Sequence, residues 1–229
     1  MSAAHNSELP RVMLWAWERP SDLRFIDSRQ IGVAFLAQTV FLRGDDVVTR
    51  PRLQSLALPP GTKLVAVTRV ESDRKQPPQL SPAQLQSLAS SIAEMVVLSN
   101  VSAVQIDFDA TQSERAFYRD LILEVRERLP QDVSLSITAL ASWCADDNWL
   151  SDLPIDDAVP MLFRMGPDRS RIINRISDGR QFSSGPCQGS YGISTDEPVP
   201  GLAPGKRLYV FNPRAWSEDS VRAILDSTK

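Results

Sequence analysis

Histidine is almost missing from this chain: among 229 residues there is one, His5, in a polar leader running from Met1 to Pro10. That scarcity excludes histidine-based metal sites and every triad in which an imidazole relays a proton. Acid–base chemistry must therefore rest on carboxylates. Cysteine is nearly as rare. Cys144 and Cys187 are too few for a disulfide scaffold or a zinc site, and they are expected as unpaired thiols. The expected barrel places Cys144 at its top and Cys187 at its bottom, about 15–20 Å apart, whereas a bridge needs Cα atoms within about 7 Å. No apolar run approaches the roughly 20 residues that span a bilayer, and the leader lacks the apolar core of a secretory signal. As it stands the sequence points to the cytoplasm, or to the periplasm or exterior if a signal segment has been removed. Neither GxGxxG nor GxxxxGK[ST] occurs, so no cofactor is expected. The net charge of −3, with both signs scattered, offers no basic stripe for nucleic acid.

What is present is a recurrent β–α alternation. Strand-like runs span Val12–Trp17, Ile31–Ala37, Leu64–Val70, Ala103–Phe108, Ser134–Leu140, Ala158–Met165, Ser190–Ser194 and Arg207–Phe211. Helix starts follow several of them at Ser81-Pro82, Ser113-Glu114, Pro167 and Ser217-Glu218. Eight strands in this rhythm predict an α/β fold, a compact, partly irregular (β/α)8 TIM barrel. One domain is expected over residues 11–229. The segment Thr39–Arg50 breaks the rhythm with two β-prone arms around Arg43-Gly44-Asp45-Asp46, which predicts a hairpin inserted after strand two, flanking the mouth. The helical slots after strands one, two, five and seven are weak or short.

Strand four carries the most informative run, Val101–Ala110, VSAVQIDFDA. Alternation puts Val104, Ile106 and Phe108 on one face and Gln105, Asp107 and Asp109 on the other. The chemistry of such a barrel sits at the C-terminal ends of its strands. That rim would gather Glu18, Arg69, Glu71, Asp107, Asp109, Thr138, Trp143, Arg164, Asp196, Glu197, Asn212 and Trp216. Neighbouring carboxylates raise one another's pKa, so a pair can supply an acid and a base. Indole faces beside carboxylates suggest sugar rings. Trp15 and Trp17 are expected in the core. Asp107 has an equally strong reading as the partner of Arg69 in a structural salt bridge below the mouth.

The segments LWAWERPSDLRF, GVAFLAQT, VQIDFDAT, LSITALASWC, VPMLFRMGPD and STDEP resemble an uncharacterised bacterial family, known as a domain of unknown function and grouped with the glycoside-hydrolase TIM barrels. The resemblance implies the same barrel and a sugar-related role. Strand four is also similar to the chitinase pattern DGxDxDxE, from which it departs: one register puts Thr111 where the proton-donating glutamate belongs. The other puts Asp109 there, with Gln105 in the place of the first aspartate.

Two functions stay open. One is a glycoside-hydrolase-like enzyme with Asp109 as proton donor and Glu197 as its favoured partner, Asp107 being the third catalytic candidate. In that reading Gln105, Trp143, Arg164, Asn212, Trp216, Glu18, Arg69, Glu71 and Asp196 contact substrate. The other is a non-catalytic carbohydrate-binding protein on the same barrel. A metal-dependent hydrolase using Asp107, Asp109 and Asp196 as oxygen ligands is a distant third, and no metal is assigned.

Overall fold

The structure, a computed structural model, describes residues 9–97 and 101–227. Eight parallel strands form the barrel: β1 (Val12–Ala16), β2 (Ile31–Arg43), β3 (Leu64–Ser72), β4 (Val101–Asp107), β5 (Ser134–Leu140), β6 (Asp157–Met161), β7 (Ser190–Ser194) and β8 (Arg207–Phe211). Each pairs with its successor, and β1 closes the ring by pairing with both β2 and β8. The predicted barrel is the observed one.

Alternation decides what fills its interior. Met13 and Trp15 face inward from β1, against Ala34, Val65, Val67, Ala103, Val159, Phe163 and Tyr209. So wide a side chain as Trp15 fits because β7 offers Gly192, where a Cβ would come within 3.0 Å of the indole. Leu9 and Pro10, expected in the leader, belong to the barrel floor: Leu9 is buried there, and the Arg207 side chain donates to the carbonyls of both. The rest of the expected leader, His5 included, lies outside the described residues.

Helices cover the outside unevenly. α1 (Pro82–Ala93) starts in a capping box, Ser81 Oγ accepting from the Gln84 N–H while Gln84 accepts from the Ser81 N–H, both at 3.3 Å. α2 (Arg115–Arg128) follows a 3₁₀ turn whose box is Thr111 with Glu114, two residues ahead of the predicted Ser113 start. α3 (Ala141–Asp146) is a six-residue helix, α4 is Arg169–Ser177 and α5 is Glu218–Ser227. Among the described residues no helix fills the slots after β1 and β7, as the weak signals there suggested. After β2 stands the predicted hairpin, in which Asp46–Pro51 returns antiparallel from Arg43↔Asp46 to Gln38↔Pro51. A bulge at Ala37 shifts the register there. It turns Gln38 outward, where its amide donates to Thr68 (3.1 Å) and to the Ser91 carbonyl of α1 (2.9 Å).

The expectation of two free thiols is wrong. Cys144 and Cys187 are bonded, with Cα atoms 5.7 Å apart. Strand ends alone misplace both residues. Cys144 is inside α3, and the segment after α4 packs against it. The backbone N–H groups of Ser183 and Ser184 donate to the Cys144 carbonyl at 3.1 and 3.3 Å. The bridge spans 43 residues, a loop whose closure entropy corresponds to about 4 kcal/mol. Thiol titration of denatured, unreduced protein should find no free thiol, and reductant should lower the melting temperature of the wild type but not of a Cys144→Ala/Cys187→Ala double variant.

Candidate functional site

The rim of β3, β4 and β5 forms an acidic wall. Parallel pairing sets Arg69 level with Asp107. Arg69 gives its short bond to Glu71, Nε to Oε1 at 2.7 Å, and stands 3.8 Å from Asp107 Oδ2. Thr138, buried on β5, donates to Asp107 Oδ1 at 2.6 Å. Only 13% of the Asp107 side chain is exposed. Burial pushes its carboxyl above the ordinary range, with Asp109 and Glu71 adding to that and Thr138 and Arg69 opposing it. For Arg69, burial pulls the other way, yet the three surrounding carboxylates hold its guanidinium more firmly protonated than usual. Asp109, two residues on, is exposed and makes neither hydrogen bond nor salt bridge. A cleft of about 520 Å³ opens over this wall, between the loops that follow β3 and β4.

The opposite side of the mouth is aromatic. Phe163 and Phe211 stack at 5.6 Å with planes 4° apart, and the Arg164 guanidinium lies 5.3 Å from the Phe211 ring. Trp17, half-buried, lies 5.9 Å beneath the guanidinium of Arg69, so one arginine joins the acidic wall to the aromatic side. Trp17, Glu18, Phe211 and Trp216 line a second recess of about 260 Å³. The hairpin fastens this rim. Arg52 donates to the carbonyls of Ala16 (3.1 Å), Trp17, Arg19 (2.8 Å) and Gln54 (3.0 Å), and Arg50 pairs with Glu18 at 2.6 Å.

The structure brings together Asp107, Asp109, Arg69 and Glu71 in one wall, with Glu18 and Trp216 in the second recess and Arg164 over Phe211. Other expected site residues are engaged. Gln105 is fully buried in the barrel, accepting from Trp15 Nε1 (3.1 Å) and donating to Ser136 Oγ (3.2 Å). Trp143 faces away from the mouth: it lies in α3, edge-on to Trp149 at 5.0 Å, in the layer between helices and barrel. Asn212 is buried, its Oδ1 accepting from Thr195 and from the Arg214 N–H. Asp196 accepts from Ser194. Glu197 takes the Arg169 guanidinium at 2.9 Å and the Arg164 N–H at 3.2 Å, tying the loop after β7 to the loop after β6. The rim residue that the sequence reading left in the core is Trp17. Its signal was the inward row Met13, Trp15, Trp17, whose third member has to emerge at the rim.

Among the described residues no group of three or more His, Cys, Asp or Glu is placed to hold a metal ion. A larger groove, of about 950 Å³, lies outside the barrel beside the empty slot after β7 and has no carboxylate in its lining. No helix among the described residues is long and apolar enough to cross a membrane.

Fold and mouth together define a (β/α)8 barrel with a carboxylate wall facing aromatic rings. Residues 60–161 match the model of an uncharacterised family, Domain of unknown function (DUF3142). No curated protein matches the chain. Among solved structures, the chitinase domain of the spore coat protein CotE from Clostridium difficile is similar to it at 13% identity, with a TM-score of 0.45 over 92% of this chain and 67% of that one.

The two aspartates should differ in their contribution to stability. Because the short bond of Arg69 goes to Glu71, Asp107→Ala chiefly strands the buried Thr138 hydroxyl, at a cost of about 1–3 kcal/mol. Asp109→Ala should stay within about 0.5 kcal/mol of wild type. Asp107→Asn has a different signature. A carboxyl raised in the folded state contributes stability that is present at low pH and lost as pH rises through its folded pKa. The asparagine variant lacks that loss, so its melting temperature relative to wild type should climb between pH 4 and pH 8. A flat difference would mean that Asp107 ionises without cost.

Proposed function

We propose that this mouth acts on carbohydrate as a glycoside-hydrolase-like site, with Asp107 as the proton donor and Asp109 as the second, more exposed acid beside it. The observation that carries the reading is the unlike surroundings of two neighbouring carboxyls. Asp107 is largely buried, held by Thr138 and pushed toward its protonated form, while Asp109 is exposed and makes no hydrogen bond or salt bridge. A carboxyl that its surroundings keep protonated is the one placed to give up a proton. The donor thus moves one position inward from the Asp109 expected on sequence grounds. Glu197 is a poor base here, because its carboxylate is already committed to Arg169 and to the Arg164 backbone. The half-buried rings of Trp17 and Phe211, the latter seated on the buried Phe163, offer the flat apolar faces on which sugar rings pack.

One observation favours the second reading, a barrel that binds sugar without cleaving it. Glu18, Glu71, Asp196 and Glu197 are all occupied by arginines or a hydroxyl, which leaves Asp109 as the unengaged rim acid among them. A screen of polysaccharides and aryl glycosides with wild type, Asp107→Asn and Asp109→Asn separates the two. Loss of a general acid should cost Asp107→Asn about 10²–10⁴-fold in turnover of a natural linkage, and less on an aryl glycoside with a good leaving group. Full activity in Asp107→Asn would place the donor elsewhere. Binding without turnover in wild type would select the binding protein, and neither binding nor turnover would reject carbohydrate.

A further inference from the structure

We propose that Thr138 is a positioning residue of this mouth: its hydroxyl holds Oδ1 of Asp107 and so directs the carboxyl's proton to Oδ2, the oxygen on the Arg69 side of the cleft. The inference deepens the proposed function, which gives that proton its use. Its geometric basis is independent of any sugar.

A threonine hydroxyl has one hydrogen to give. Thr138 is 4% exposed, and its hydroxyl donates to Asp107 over 2.6 Å, in the range of a strong O–H···O contact. With that hydrogen committed to Oδ1, a proton on the carboxyl has the other oxygen left to it. Oδ2 lies 3.8 Å from Arg69 Nη1, too far for a hydrogen bond, so the site is open on that side. The charged and titratable groups around Asp107 come from three directions: Arg69 and Glu71 on β3, Asp109 on its own segment and the buried phenol of Tyr118 on α2. Glu71 and Asp109 favour a protonated Asp107, and Arg69 opposes it. Burial outweighs them all in favour of the protonated form, and Thr138 opposes it by bonding to the charged form without adding charge. The bond crosses adjacent strands, β4 to β5, so the rigid ladder fixes the carboxyl's orientation as well as its proton affinity.

The test is a carboxyl-carbon NMR titration of full-length protein labelled at aspartate, with the Asp107 signal assigned by its absence in Asp107→Asn. Thr138→Val keeps the shape and removes the bond, so the Asp107 midpoint should rise by about one pH unit. Thr138→Ser keeps the hydroxyl and should titrate close to wild type, whatever small loss of packing it suffers. In Asp107→Asn, the side-chain NH₂ should show NOEs toward Arg69 rather than toward the Thr138 methyl. An unmoved midpoint in Thr138→Val, a serine variant behaving like valine, or an amide turned toward Thr138 would each overturn the assignment. Should the titration shift as expected while no sugar is bound or cleaved, the carbohydrate reading falls and the role of Thr138 stands.

Discussion

Everything at the mouth rests on the packing of one indole at the centre of the barrel. Trp15 lies 5.4 Å from the ring of Tyr209 and 6.4 Å from that of Phe163, so it touches strands contributed by opposite ends of the chain. Its N–H finds Gln105, ninety residues away, and its carbonyl receives the N–H of Trp216. A buried polar group without a partner would cost more than its packing returns, so the satisfied amide of Gln105 is what lets a tryptophan occupy this position. With Trp15 fixed, Trp17 above it has one place to go, and the aromatic side of the mouth follows.

The acidic wall shows how a barrel makes two identical functional groups unlike. Asp107 and Asp109 share a strand direction, yet Asp107 ends inside the ladder, within reach of Thr138 and Arg69, while Asp109 comes after the last paired residue. Depth along one strand is the variable that separates them. A barrel rim supplies such gradients without special machinery, because each step of two residues moves a side chain about 6.5–7 Å outward.

Sequence periodicity revealed what local alternation controls: the eight strands, the hairpin after the second, the thin slots and the inward row ending in Asp107 and Asp109. It failed where a third dimension decided. Gln105 shares a face with the two aspartates, but its depth turns it into a core partner of Trp15 and Ser136. Trp143 follows a strand end, but helix geometry sends it outward to Trp149. Glu197 carries the right functional group, and Arg169, twenty-eight residues earlier, neutralises it. The disulfide was hidden for the same reason: a height along the barrel was assigned from strand ends, while both cysteines lie in the segments between strands, which bring them together. The cation–π contact joining Arg69 to Trp17 had no sequence signal, since it depends on closure between β1 and its neighbours.

The uneven helical coat has a mechanical consequence. The acidic wall is backed by α1 and α2, whose apolar faces share one continuous core with β4 and β5. The aromatic recess is backed by a second cluster, in which Val221 and Ile224 of α5 pack with Leu14, Ala16 and Val210 of β1 and β8, and it is tied to the hairpin by arginine bonds to backbone carbonyls. The two sides of the mouth are thus carried by separate apolar clusters, so a substitution that loosens the packing behind one leaves the packing behind the other in place.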